Sequence, residues 1–358
     1  MTPTQDAQPL SLARNPYADV DWERATQCRS QFHSHEPRNP LDPTSTAHDP
    51  PAETGPDESA RSTPGELVDK YQRAGYAAMA ITEHEYYVDG TKFKGMPASP
   101  ENEVTTWPWS RWDRETPESA MVPIQGAELR GTIAGVDRLH DIVSLGNGLA
   151  HGRERPLEVV AADIGDRGGV SFLPHPGKYV RADQIEPYVD LFETVETVVG
   201  VEVFNANDRY PNCRTIWDAL VGALGPERPV WALANDDYHA RPRPDGAERF
   251  DQSRTVLLLE DQSPAAVLDA LRDGHSYVQY DGDGVAPTIR SVDADGGRVH
   301  LDAPDAGTIR WITGGETVAE GPEIALDAVP GRYVRAEATA GGGAVSCTQP
   351  LYLDERNR

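Results

Sequence analysis

The sequence predicts an α/β fold, a barrel or a parallel sheet, followed by a small all-β domain. Three observations predict it. From about residue 26 to 283 short apolar strands alternate with helical segments, and strands alternating with helices imply parallel pairing. After Gly284 the pattern changes to short strands separated by Asp-Gly and Gly-Gly turns, with no helical period. Residues 1–22 are polar, carry Pro3, Pro9 and Pro16, and read as a flexible arm. The expected division is therefore an arm over 1–22, an α/β unit over 23–283 and a β-rich unit over 284–358.

The first clear unit is "RSTPGELVDKYQRAGYAAMAITEH". Thr63 can cap a helix, Pro64 suits its first position, and Glu66 completes a capping box. Leu67, Tyr71 and Ala74 share one face, and Gly75 ends the helix. The strand "YAAMAIT" follows, and further strands are expected at "MVPIQG", "HDIVSL", "GVSFLP", "GVEVFN", "PVWALA" and "RTVLLL". Helices fit "PLEVVAADIGD", "ADQIEPYVDLF", "RTIWDALVGAL" and "SPAAVLDALRDG". Two stretches interrupt the alternation: a Pro-, Asp-, Thr- and Ser-rich loop over 36–63, and residues 85–120 with Tyr86, Tyr87, Trp107, Trp109 and Trp112. Long loops of this kind are often lids or binding loops.

Composition bounds the function. The chain of 358 residues carries 33 basic and 58 acidic residues, a net charge of −25, and only four of the basic residues are lysine. Self-repulsion of this size is screened at high salt, so the composition reads as that of a halophilic protein, the plainer alternative being a merely acidic, GC-rich proteome. It argues against a broad nucleic-acid-binding face. No apolar run is long enough to span a membrane and none at the start resembles a signal peptide, so a cytoplasmic location is expected. Cys28, Cys213 and Cys347 are odd in number and far apart, which excludes a disulfide framework and a Cys-x-x-Cys zinc site.

Six of the ten histidines fall beside apolar strands. "QFHSHEP" sets His33 and His35 two apart, on one face of an extended chain. "AITEHEYY" supplies His84, "PIQGAELRG" Glu128, "RLHDIVSLG" His140 and "VSFLPHPGKY" His175. "WALANDDYHA" supplies Asp237 and His239, again two apart. In a parallel α/β barrel the carboxyl ends of the strands converge on one mouth. Six imidazoles and two carboxylates exceed the needs of one zinc and suit two or three divalent ions with nitrogen and oxygen ligands: manganese, iron or zinc.

The order "FHSH", "TEHE", "GAEL", "HDIVSLG", "HPG" and "DDYH" resembles the PHP family, the polymerase and histidinol phosphatase domain, over roughly residues 28–280. "SPAAVLDALRDGHSYVQYDG" also looks like the helix and tail that end such domains. The resemblance implies a distorted (β/α)₇ barrel. It also implies a trinuclear centre ligated by His33, His35, His84, Glu128, His140, His175, Asp237 and His239, with Asp237, His239 and Glu128 central to catalysis. The family places a further ligand soon after H-x-H; here the 36–63 loop intervenes. Asp57 is the best match, with Asp42, His48 and Glu58 as rivals, and Glu83 stands where the family has aspartate.

Clustered divalent ions lower the pKa of bound water to about 7 and clamp the oxygens of an in-line displacement. The expected reaction is hydrolysis of a phosphate ester, with a small phosphorylated molecule or a nucleic-acid end as substrate. Lys178, Arg181, Arg130 and Arg209 are the candidate phosphate contacts. Two other readings stand beside it. One is an amidohydrolase-type barrel, which also opens with H-x-H but bridges its metals with a strand-end lysine. The other is a PHP-like module that binds without catalysis. Oligomeric state is not legible.

Overall fold

The computed structural model describes residues 10–35, 64–82, 84, 121–149, 152, 155–239 and 250–354. Asp57, its rivals Asp42, His48 and Glu58, and the aromatic stretch 85–120 lie outside the described residues.

The helices follow from local sequence. Helix Pro64–Arg73 buries Leu67, Val68 and Tyr71 completely and is followed by Gly75 at φ +83°, where glycine avoids the Cβ clash of the left-handed region. Helix Leu157–Asp166 buries Leu157, Val160, Ala161 and Ile164, the spacing of one helical face. The segment expected to be helical from Ala182 starts only at Glu186, with Pro187 in its first turn, where a missing N–H costs nothing. Helix Cys213–Leu224 matches its expected span. In helix Pro264–Asp273, Ser263 Oγ accepts from Ala266 N at 3.2 Å.

The strands depart from the all-parallel expectation. A six-stranded sheet runs Trp231–Asn235, Val198–Asn205, Val170–Leu173, His140–Leu145, Gly126–Thr132, Arg155–Pro156. His140–Leu145 is antiparallel to both neighbours. Only residues 133–139 link it to Gly126–Thr132, too few for a crossover helix, so the chain turns straight back. This reversal places the beginning of His140–Leu145, not its end, beside the ends of the parallel strands.

The second sheet carries Thr26–Gln31, Ala78–Met79 and Val122–Pro123 in parallel, with Ser253–Leu259 antiparallel on the other side of Thr26–Gln31. Among the described residues the two sheets do not join in one continuous ladder. They meet through isolated bridges at Ser34–Tyr238 and His84–Glu128. Elsewhere side chains replace the ladder. Thr255 Oγ1 accepts from Ala234 N at 3.0 Å and donates to Ala234 O at 3.1 Å. Gln349 binds Ala232 in the same reciprocal way, at 2.7 and 2.9 Å.

The C-terminal strands pair as their turns predict. Ser291–Asp295 and Arg298–Asp302 form a hairpin around Gly296 (φ +56°) and Gly297 (φ +79°), the two positive φ values of a type I′ turn. These strands are not set apart from the first region. Ser276–Tyr280 pairs with Val345–Thr348, so one sheet runs across the expected boundary at 283. Val256, Leu258 and Tyr277 share a buried cluster with Val299, Trp311 and Leu351.

The described part of the expected arm is also fixed. Leu12–Arg14 pairs with Leu351–Leu353, and buried Tyr17 donates to Ser276 O at 2.9 Å. Hydrophobic residues between and after the prolines, Leu10, Leu12, Val20 and Trp22, pack on the same cluster and hold the segment down. No described helix is long and apolar enough to cross a membrane.

Candidate metal centre

His33 and His35 lie just beyond Thr26–Gln31, where the chain stays extended because Asp237 N donates to His33 O (2.9 Å) and His35 N to Tyr238 O (2.7 Å). Alternation then sends both imidazoles to one side. His33 Nε2 is 3.4 Å from Glu128 Oε1 and 3.4 Å from Asp237 Oδ1. His35 Nε2 is 3.5 Å from Glu128 Oε2 and 3.3 Å from Asp237 Oδ1. Glu128 is not past a strand end but within Gly126–Thr132. Its Oε2 is 2.7 Å from His84 Nδ1 and its Oε1 3.2 Å from His175 Nε2. His239 Nδ1 lies 3.4 Å from Asp237 Oδ1, and His35 stacks between His84 (centroids 4.5 Å) and His239 (4.3 Å). Seven of the eight described ligand candidates are thus brought together.

His140 is the exception. Its Nδ1 contacts Tyr188 Oη at 2.9 Å, and it belongs to none of the ligand groups that converge here. Neighbouring strand residues face opposite ways, so it is Asp141 that enters the site: Asp141, Glu128 and His175 form one such group. The same parity separates the acidic pair. Asp237 faces the imidazoles. Asp236 turns away and accepts from Tyr71 Oη (2.9 Å) and from the backbone N–H groups of Asp251 (2.7 Å), Gln252 and Ser253 (both 2.9 Å). Burial pushes the Asp236 carboxyl up to about 7, against the pull of those donors.

The sequence reading also missed Glu202, which is completely buried in Val198–Asn205 and 3.0 Å from His33 Nδ1. Its sequence signal is a lone charge in the middle of an otherwise apolar strand run.

Among the candidate phosphate contacts, Lys178 Nζ donates to Asp141 Oδ2 at 3.0 Å, and Arg130 Nε donates to Asp141 Oδ1 at 3.0 Å. Arg209 pairs with Asp237 Oδ2 and donates to Asn205 Oδ1. Arg181 is exposed, and among the described residues no ion pair ties it to this cluster.

Charge in the site is strongly coupled. Burial alone would raise Glu128, but the His84 and His33 imidazoles outweigh it and hold the carboxyl well below its usual range. Asp237 is likewise held low against burial by His33, Arg209 and His239. Burial pulls His33 down, yet Asp237, Glu202 and Glu128 together lift it well above the ordinary imidazole value. His239 is pushed well down by burial and by its neighbour His35.

The donor set fits divalent ions. Both Glu128 oxygens, His33 Nε2 and His84 Nδ1 are buried and, among the described residues, make no hydrogen bond of proper geometry, although they lie 2.7–3.5 Å from one another's groups. Buried polar atoms are normally satisfied, so these call for a partner, and a cation supplies one. Four overlapping triads offer donor atoms within 4.8 Å of one another: His35, His84 and His239; His33, His35 and Glu128; His33, His175 and Asp237; Glu128, Asp141 and His175. Nitrogen and oxygen donors without thiolate suit zinc, manganese or iron. The three cysteines are buried, and none belongs to these groups.

No family model matches the sequence, and no curated protein matches it. Similar solved structures include the following two. One is a two-domain protein containing a predicted PHP-like metal-dependent phosphoesterase from Bacteroides vulgatus, at 12% identity and TM-score 0.49, covering 98% of this chain and 100% of that one. The other is an amidohydrolase from Chromobacterium violaceum with bound sulfate and no metal, at 14% identity and TM-score 0.34, covering 49% of this chain and 82% of that one.

Proposed function

We propose that this chain is a metal-dependent hydrolase of phosphate esters, working with two or three divalent ions of manganese, iron or zinc. The observation that carries the reading is Glu128: a fully buried carboxylate, approached on both oxygens by four imidazoles at 2.7–3.5 Å, with no hydrogen bond of proper geometry to either oxygen among the described residues. A bridging carboxylate needs two free oxygens, and a structural one would have donors on them. Divalent ions bound here supply Lewis acidity and a water poised to ionise near neutral pH.

The chain's own residues do the rest. Asp141 and Asp237 are kept ionised by the cations beside them. Those cations, Lys178, Arg130 and Arg209, are 22%, 12% and 31% exposed, so they reach the rim and can donate to phosphoryl oxygens. They supply the local positive charge that a chain of net charge −25 needs to hold a phosphate. Among the described residues lysine takes no bridging place: Lys178 Nζ donates to Asp141, while the central position belongs to Glu128, which favours this reading over the amidohydrolase type. We read the two sheets and their bridges as the distorted barrel of the PHP resemblance, with the catalytic unit over residues 23–283. The substrate class is a small phosphorylated molecule or a nucleic-acid end, in a salt-rich cytoplasm.

The test joins elemental analysis of protein purified without chelator to a phosphatase and phosphodiesterase panel. Wild type should carry at least two ions per chain. Asp237→Asn and His239→Ala should lose turnover by a factor on the order of 10²–10⁴ together with metal. Full phosphoesterase activity and unchanged metal content in both variants would overturn the proposal.

A further inference from the structure

Glu202 sits at the centre of the site without facing into it. Four donors meet its two oxygens. His33 Nδ1 and Asn235 Nδ2 are each 3.0 Å from Oε1; the backbone N–H of His175 (2.9 Å) and Asn205 Nδ2 (2.8 Å) meet Oε2. The carboxylate is completely buried, and no described solvent-facing group competes for it. Two of those four donors belong to candidate metal ligands from different strands. Asn205 also donates to a third, Asp237 Oδ2, at 3.3 Å.

We propose that Glu202 is a positioning residue for the metal centre, setting the ring of His33 and the backbone of His175 together. The inference rests on the metal-centre reading above. A carboxylate at Nδ1 fixes the proton there and leaves the Nε2 lone pair to point at Glu128 and Asp237. His175 adopts φ +32°, ψ +55°, a left-handed conformation that a non-glycine residue before proline disfavours. Its N–H bond to Glu202 is what holds that turn and so aims the imidazole at Glu128 Oε1.

Glu202→Gln tests this because only the donor pattern changes. All four partners donate, so the new amide N–H₂ must face two of them. Facing His175 N–H is not relievable, since a backbone amide has no other protonation state. Facing His33 is relievable if the imidazole moves its proton to Nε2, which removes the lone pair that would bind metal.

The measurement is zinc and manganese binding by calorimetric titration of chelator-treated protein, at a temperature where circular dichroism shows each variant folded. Glu202→Gln should weaken the tightest sites by about 10–100-fold. In a His33→Ala background the same substitution should have a smaller effect, because its route through the imidazole is gone and only the turn at His175 remains. A second readout needs no variant that might misfold: long-range proton–nitrogen NMR of zinc-loaded wild type should show His33 protonated at Nδ1 and zinc-bound at Nε2. Wild type that binds no divalent ion would sink the metal reading itself. Wild type that binds, with folded Glu202→Gln binding equally well, or with His33 unprotonated at Nδ1, would overturn the role of Glu202 alone.

Discussion

The weld between the first region and the C-terminal strands should carry a measurable share of the stability, and one ion pair isolates it. Arg335, on the strand Tyr333–Thr339, grips Asp218 of helix Cys213–Leu224 with two bonds, Nε to Oδ1 at 2.8 Å and a terminal nitrogen to Oδ2 at 2.7 Å. The side chains are 3% and 4% exposed. Tyr333 Oη adds a bond to Asp218 Oδ1 at 2.7 Å, and the guanidinium lies 4.9 Å over the Trp217 ring. Removing one partner of a buried pair costs about 3–5 kcal/mol, because the other charge stays buried. In Arg335→Met the thioether keeps the packing on Trp217 and Tyr333 still serves Asp218, so the lower end applies, about 3 kcal/mol. At about 2 °C per kcal/mol for a long chain, Tm should fall by about 6 °C. Asp218→Leu should cost a similar amount, whereas the double variant should recover most of the loss, short of the part that Glu337 Oε1 loses with its 2.7 Å bond from Arg335. Urea unfolding followed by far-ultraviolet circular dichroism and by tryptophan fluorescence reads all of this. The two probes should give one coincident transition, since one sheet spans both regions. A loss under about 1 kcal/mol in Arg335→Met, or two separate transitions in wild type, would refute the weld.

Three further outcomes are expected. His140→Gln should leave the metal content unchanged, whereas Asp141→Asn should lower it; metal analysis of the two variants decides whether the strand parity has been read correctly. His140 should also make the metal-free protein acid-labile. Burial pushes it down to about 4, so between its ordinary value near 6.5 and about 4 the unfolded chain binds the extra proton and stability is lost as pH falls, by up to about 3 kcal/mol; urea titrations across that window should show a shallower loss in His140→Gln. Finally, with a net charge of −25, Tm should rise between about 0.1 M and about 2 M potassium chloride, and a flat curve would count against the halophilic reading.

Much of the site is legible in the sequence because it is written in spacings of two. His33 with His35, and Asp237 with His239, converge since an extended chain repeats its facing every second residue. The turns of the C-terminal strands are legible for a similar local reason: Gly296 and Gly297 permit a backbone that few other residues adopt. What the sequence hides is facing where both sides are buried. In "HDIVSL" every residue is buried, so nothing in the pattern says whether His140 or Asp141 looks inward. Glu202 is hidden the same way, within a strand buried throughout. Strand direction is hidden too, because the antiparallel return depends on the short 133–139 link and not on the strand's own residues. The described part of the N-terminal segment reads as loose because its apolar residues are sparse, yet each finds a place against the C-terminal strands.

The least legible feature is backbone strain at two of the candidate ligands. His175 and Asp237 both sit at positive φ, +32° and +47°, where strands Val170–Leu173 and Trp231–Asn235 give way to turns. Each such residue costs about 1–2 kcal/mol against the ordinary regions. Local preference would put glycine in both positions, but glycine carries no donor atom. The conformations persist because neighbours hold them: Glu202 receives the N–H of His175, and His33 O receives the N–H of Asp237. This decides how the charge of Asp237 should be tested. Asparagine tolerates the left-handed region about as well as aspartate, so Asp237→Asn removes charge and leaves the turn alone. Asp237→Ala removes the charge and strains the turn as well. Both variants should lose metal, but only Asp237→Ala should lose a further 1 kcal/mol or so of stability in the metal-free state, measured by urea unfolding. Equal stability of the two metal-free variants would mean that the turn at Asp237 is not under strain, and that the ligand's position is set by the ions it binds.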